Sequence, residues 1–170
     1  MEKEDVAIST KWINEGIYGD YGPIMQLSKT EEEKCFENPP PIEAAIQPTG
    51  FMIEKKDRTK IGMTGYVTVQ PYRMLDIGFW LLPKEKGKGY GTEAAQLMVD
   101  YLFLSKNIER VQATTHVENI ASQRVLEKIG FMKEGTIRRL YFIKGHWGDA
   151  LLYSILREEW KEPKILTKAT

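Results

Sequence analysis

Three glycines at alternate positions sit among two lysines in KGKGYGTEAA, residues 86–95. A chain spends glycine this way where its backbone must approach a ligand, or adopt a conformation that a Cβ forbids. Unpaired N–H groups at a helix start, with cations beside them, suit a phosphate or pyrophosphate. The spacing is not that of a nucleotide P-loop, G-x-x-x-x-G-K-S/T, because Thr92 follows Gly91 directly. It is not the dinucleotide fingerprint G-x-G-x-x-G either, because Gly87, Gly89 and Gly91 give G-x-G-x-G. The acidic ribose partner of that fingerprint is also misplaced, since Glu109 precedes the next strand. An anion cradle of another kind remains, and a turn with solvated lysines is the plainer alternative.

Other reactive side chains are sparse. Cys35, the single cysteine, lies in the charged run EEEKCFEN. It reads as a surface or half-buried thiol, it cannot form an internal disulfide, and it fits a reducing compartment. His116 and His146 are too far apart in sequence to suggest a metal pair, and no metal is expected. Asp76 interrupts the apolar run MLDIGFWLLP and shares a strand face with Gly78 and Trp80.

The elements that must position these residues follow from periodicity. VAISTKWINEGI (6–17) has helical spacing, and Thr30 with Glu33 forms a capping box for a short helix over 31–36. The proline-rich stretch 38–50 reads as a surface loop. Strands are expected at 51–56, 61–70 and 74–83, joined by hairpin-like turns into an antiparallel meander, with Pro83 ending the third. The glycine loop comes next, and then a helix from Thr92 to Ser105. RVQATTHV (110–117) reads as a strand. A helix then runs from its cap Asn119 to Gly130, and a final hairpin over 137–156 turns near KGHWG. The order predicts one α+β domain over 1–170, a mixed sheet with helices packed on it. A central strand-helix-strand crossover makes two strands parallel neighbours. Ligands of such sheets bind at the carboxyl ends of the central strands.

The whole-chain totals narrow the partners. Lys+Arg and Asp+Glu both count 24 in 170 residues, so no net charge steers the chain onto nucleic acid or an anionic membrane. The acidic start MEKEDVAIST lacks the apolar centre of a signal peptide, and no run is long and apolar enough to span a bilayer. The expectation is a soluble, cytoplasmic protein.

KGKGYGTEAA resembles motif A of the GNAT acetyltransferases, R/Q-x-x-G-x-G/A, with Lys86, Gly89 and Gly91 on its key positions. LDIGFWLLP resembles that superfamily's fourth strand, and NIASQRVLEKIGF its next helix. WINE (12–15), GFMKEG (130–135) and GHWGDALLYSIL (145–156) extend the likeness from about Glu4 to Trp160, toward the RimJ/RimL-like branch of ribosomal-protein N-terminal acetyltransferases. The resemblance implies a mostly antiparallel sheet splayed at its two parallel strands, with helices on both faces and acetyl-CoA in the opening. It places the pyrophosphate on Lys86, Gly87, Lys88, Gly89, Tyr90, Gly91 and Thr92. It lays the pantetheine arm along the backbone of Phe79, Trp80, Leu81 and Leu82, like an added strand. Asn119 would bond pantetheine, and Lys128 would lie near the adenosine phosphates.

The implied reaction is direct transfer to a neutral amine, with a proton acceptor for the amine and a donor for the CoA thiolate. The donor position, a tyrosine in many members, is Leu126 here, and the RimL-like serine of N-x-x-S is Ser122. The RimL-like glutamate aligns with Tyr141. Asp76 is therefore the first candidate base, with Glu118 and water relays behind it. The usual Arg/Gln of motif A is Lys86, and nothing before the first helix supplies the family's first strand, so either the true start lies upstream or the sheet lacks an edge strand. The strand at 51–56 is expected to be an exposed edge, covered by the loop at 38–49 or by a second copy in a homodimer. The expected acceptor is a protein N-terminal α-amine; a polyamine, held by Glu31, Glu32 and Glu33, is the rival. Trp12, Tyr18, Tyr21, Phe36, Tyr141 and Trp147 are the candidate acceptor-pocket aromatics. A CoA-binding sensor without turnover is the reading from another class.

Overall fold

The computed structural model describes residues 3–17, 19–21, 28, 30, 33, 34, 37, 38, 46–69, 74–161 and 163. Helix α1 spans Lys3–Asn14, and a 3₁₀ turn at Gly19–Tyr21 follows it. Strands β1 (Ile46–Glu54), β2 (Lys60–Val69) and β3 (Met74–Leu81) form the antiparallel meander. A 3₁₀ turn at Pro83–Glu85 and the glycine loop lead into α2 (Tyr90–Ser105). Strand β4 (Arg110–His116), α3 (Ile120–Lys128), β5 (Met132–Ile143) and β6 (His146–Leu156) complete the chain. The sheet order is β1-β2-β3-β4-β6-β5, with β3 and β4 parallel and every other pair antiparallel. This is the expected mixed α/β architecture.

The core lies between one sheet face and two helices. Leu75 and Ile77 of β3, Val111 and Ala113 of β4, and Tyr153 and Ile155 of β6 meet Val99 and Leu102 of α2 and Leu126 of α3. Val99, Leu102 and Val111 are fully buried. Side chains alternate along a strand, so Asp76, Gly78, Gln112, Thr114 and His116 fall on the opposite face. Helix α2 is fixed at its far end by Arg157. Its guanidinium donates to the carbonyls of Phe103, Lys106 and Ile108 at 3.1, 2.7 and 2.7 Å, where a helix leaves acceptors unpaired. Trp160 adds an N–H···O bond of 2.9 Å to the buried Asp100.

Four boundaries differ from the periodicity reading. Strand β1 begins at Ile46, not 51, so residues 46–49 belong to the edge strand itself and cannot be the loop that covers it. Pro48 is paired opposite Val67, and an edge strand tolerates a proline because one side of it needs no ladder. Among the described residues no strand pairs on the outer side of β1. Strand β3 ends at Leu81, and Pro83 opens the 3₁₀ turn. Helix α2 starts at Tyr90, two residues before Thr92, because Gly89 takes the cap position. Strand β5 starts at Met132 rather than 137, and bulges at Lys133/Gly135 and Ile137/Tyr141 break the alternation that would have revealed it. The short helix over 31–36 falls largely outside the described residues, where only Glu33 and Lys34 of it are helical.

Candidate active site

The site begins as a gap in the sheet. Strands β3 and β4 pair at Leu75↔Val111 and Asp76↔Gln112, and past Asp76 no β4 residue pairs with β3. Phe79, Trp80 and Leu81 lie beyond that last rung, on the β3 side of the opening. At Leu82 the N–H donates to Ile61 at 2.9 Å and the carbonyl accepts from Glu85 at 2.9 Å, so protein partners already engage both groups. The indole of Trp80 lies over Gly78, where a Cβ would come within 2.7 Å of the ring.

The glycine loop closes one end of this opening. Gly87 and Gly89 have φ of +77° and +91°, values that L side chains rarely adopt. A Cβ on either would meet nothing within 4 Å, so backbone conformation, not space, demands glycine there. Gly91 is different: its Cβ would make ordinary contact with Leu81 at 3.5 Å. Among the described residues no side chain caps α2, so the N–H groups of its first turn lack a partner within the helix. The two lysines are not equivalent. Lys88 pairs with the buried Glu85 at 3.1 Å, and Lys55 meets the same carboxylate oxygen at 3.1 Å. These bonds hold the Glu85 carboxyl below its usual range. Lys86 points toward the 3₁₀ turn, with Nζ 3.6 Å from where a Cβ on Gly19 would stand.

The start of α3 flanks the opening from β4. Asn119 caps the helix, its Oδ1 accepting from the Ser122 N–H at 3.2 Å, which leaves its amide N–H₂ available. Gln123 braces the preceding turn by donating to the Val117 carbonyl at 2.8 Å. Ser122 is partly buried in the first turn. Lys128 is exposed in the last turn, roughly 13 Å along the helix axis from Asn119.

On the open sheet face, residues distant in sequence converge. Asp76 Oδ2 accepts from Gln112 Nε2 at 3.2 Å. Burial pushes its carboxyl up to about 6, against the opposing pull of that amide. The Tyr141 hydroxyl donates to Thr114 Oγ1 at 2.8 Å. Burial raises its phenol, the Thr114 bond lowers it, and the Asp76 charge adds to the rise. The His116 ring stacks on Tyr21 at 5.4 Å and lies 6.3 Å from the Tyr141 ring. Its Nδ1 accepts from the Glu118 N–H at 3.2 Å, which places the proton of the neutral ring on Nε2. A Cβ on Gly148 would come within 2.2 Å of that Nε2, so glycine there makes room for the imidazole.

Thus Asp76 and Tyr141 share a face, and Ser122 and Asn119 stand at the neighbouring helix start. Gln112, Thr114 and His116 were missed as site residues. The alternation of RVQATTH was their signal, since it puts all three on one face beside Asp76. Trp147 leaves the cluster to pair with Phe142 on the exposed hairpin, and Glu118 is exposed. Tyr18, Phe36, Glu31 and Glu32 lie outside the described residues. Among the described residues no group of His, Cys, Asp and Glu could hold a metal, and no helix is long and apolar enough to cross a membrane. A separate cavity of about 840 Å³, lined by Phe51, Ile53, Leu97 and Tyr101, opens between β1 and α2 and contains none of the Asp76 cluster.

Comparison with known proteins gives a consistent picture. The family description "Acetyltransferase (GNAT) domain" matches residues 2–132. The uncharacterized N-acetyltransferase p20 of Bacillus licheniformis is 28% identical over 164 residues, 94% of this chain and 92% of that protein. The ribosomal-protein-serine acetyltransferase of Escherichia coli is 29% identical over 105 residues, 61% of this chain and 58% of the relative. The chain spans about half the length of several curated relatives it matches. Spermidine N-acetyltransferase from Vibrio cholerae, solved in complex with CoA and spermine, superposes with a TM-score of 0.80. It is 22% identical and is covered over 94% of both chains.

Proposed function

The chain belongs to the GNAT family of acetyl-CoA-dependent acetyltransferases, and from that premise we propose that it acetylates a protein N-terminal α-amine in the cytoplasm. The observation that carries the acceptor class is the make-up of the open sheet face. Among the described residues it presents the half-buried carboxylate of Asp76 beside an aromatic wall of Tyr21, His116 and Tyr141, and the other carboxylate of that face, Glu134, is held by Arg110. A single amine needs one base. A polyamine needs several carboxylates, and the nearby Asp20 is already bonded to Lys144 at 2.5 Å.

The residues present fit acetyl-CoA on structural grounds. The opening past the last β3–β4 rung gives room for an extended arm. The positive-φ loop and uncapped α2 give donors for a pyrophosphate. Bound there, acetyl-CoA supplies an activated acetyl thioester. Phe79, Trp80 and Leu81 would line the arm, residues 86–92 would hold the phosphates, and the Asn119 amide would donate to the arm from the α3 side. Asp76 accepts the proton that the attacking amine must lose. Its carboxyl, raised to about 6, is mostly ionised at neutral pH yet basic enough to take a proton. The Ser122 hydroxyl would donate a hydrogen bond to the departing sulfur, which leaves as the thiolate and takes its proton from solvent. Tyr141, held by Thr114, and His116 wall the acceptor side and exclude water.

Two measurements test this. Excess acetyl-CoA should raise the thermal midpoint of the chain by several degrees, as a ligand at 100 times its Kd adds about 2.7 kcal/mol. ATP and NAD should not. Acetylation is then followed by mass spectrometry on a serine-initiated peptide, its N-formylated twin and spermidine. Turnover of the free peptide alone supports the proposal. Turnover of spermidine alone replaces the acceptor class, and a thermal shift without turnover points to a CoA-binding sensor.

A further inference from the structure

The face that carries Asp76 also holds a line of side chains running from the opening to the far edge of the sheet. Asp76 Oδ2 accepts from Gln112 Nε2 at 3.2 Å, and Gln112 Oε1 accepts from Arg110 Nη2 at 3.4 Å. Arg110 grips Glu134 through two bonds of 2.6 Å. The Ser154 hydroxyl donates to the same Glu134 carboxylate at 2.5 Å. The line crosses β3, β4, β6 and β5 and joins the two halves of the sheet by polar contacts.

Its direction is set by donor and acceptor chemistry. A guanidinium offers donors only, and an ionised carboxylate accepts only. An amide placed between them fits one way round, with its oxygen toward Arg110 and its nitrogen toward Asp76. We propose that Gln112 is a positioning residue for acetyl transfer: oriented by the Arg110–Glu134 pair, its amide holds Asp76 by Oδ2 and leaves Oδ1 for the acceptor amine. This rests on the reading of Asp76 as the base. Without Arg110 the amide is free to turn its oxygen to Asp76, an arrangement that suits only the protonated acid. The far end of the line stays charged throughout an assay range, because Arg110 and Ser154 hold the Glu134 carboxyl down to about 2. Facing Asp76 are Gln112 from β4 and, within reach of its charge, Tyr141 from β5; no cation among the described residues acts on it.

The test reads the Asp76 carboxyl directly, by ¹³C NMR titration of the full chain, with the signal assigned by its loss in Asp76→Asn. Gln112→Leu should raise the midpoint by roughly 0.5–1 pH unit, the worth of one lost hydrogen bond to the ionised form. Gln112→Glu, close in shape, should raise it by more than about one unit through like-charge repulsion. Arg110→Met should fall between wild type and Gln112→Leu. The acidic limb of kcat/KM, measured on the serine-initiated peptide and on spermidine, should move with the midpoint, while the Kd for acetyl-CoA stays put. A purely structural role would lower activity equally at every pH. A midpoint left unmoved by Gln112→Leu, or by Gln112→Glu where the leucine variant does not fold, overturns the proposal and leaves the base reading standing. Wild-type turnover by Asp76→Asn removes the base reading even if the midpoints shift as expected.

Discussion

The two ends of this site are built from different materials. The proposed cofactor end is made of backbone: consecutive residues 86–92, two positive-φ glycines and the uncapped first turn of α2. The proposed acceptor end is made of side chains: Asp76, Gln112, Thr114, His116 and Tyr141 come from three strands. A backbone site tolerates many side-chain changes but almost no change of conformation. A side-chain site stands on individual atoms, and one substitution can empty it.

That contrast orders the predictions. The largest effect should come from Asp76→Asn. Loss of a general base lowers kcat by about 10²–10⁴-fold, while acetyl-CoA affinity measured by calorimetry should not change. The same variant should be more stable at neutral pH. Folding lifts the Asp76 carboxyl from 3.8 to about 6, so the folded chain binds its proton more tightly than the unfolded chain between those values. Stability therefore falls as pH rises through that window, and the cost is fully present above about 6, on the order of 1–3 kcal/mol. A thermal midpoint for Asp76→Asn below that of wild type at pH 7.5 would contradict this.

Next, Gly89→Val forces a β-branched residue into a left-handed conformation, a strain of roughly 1–3 kcal/mol. It should weaken acetyl-CoA binding by about 10–100-fold and leave the pH profile alone. Its control is Gly91→Ala, where the added Cβ has room; a binding loss there as large as at Gly89 would break the backbone argument. Third, kcat/KM should fall about tenfold per pH unit below the Asp76 midpoint, since only the ionised form takes a proton. A profile flat down to pH 5 would move the base elsewhere. Smallest among the site residues, Tyr141→Phe removes one neutral hydrogen bond to Thr114 and should cost about 2–10-fold in kcat/KM, with the effect in the acceptor KM.

The same contrast explains what could be read from the sequence. KGKGYGTEAA declares itself because all its parts are adjacent and glycine is a rare choice with one conformational meaning. The meander, α2, β4 and α3 were legible because each keeps a single period over its length. Strand β5 was read late because its two bulges erase that period, and β1 because Pro48 resembles a loop residue until the edge position excuses it. The acceptor cluster was only half visible. Asp76 stands out as a charge in an apolar run, but Gln112 and Thr114 are ordinary strand residues until β4 lies beside β3. The pairing of Lys88 with Glu85 was hidden for the same reason, since it depends on how the 3₁₀ turn at Pro83–Glu85 folds back.

The two rungs Leu75↔Val111 and Asp76↔Gln112 have a mechanical consequence. They divide the sheet into two three-stranded plates, β1-β2-β3 and β4-β6-β5, stitched at one short seam and clamped from below by α2. Apolar contacts such as those of Val99 and Leu102 resist separation but have no preferred direction of sliding. The gap between the plates lies toward the carboxyl ends of β3 and β4, past the last rung. An extended arm lying in the opening, as proposed above, would supply the missing rungs and tie the two plates together. Amide exchange at 77–81 and 113–116 should slow markedly when acetyl-CoA is added, with no matching change along β5.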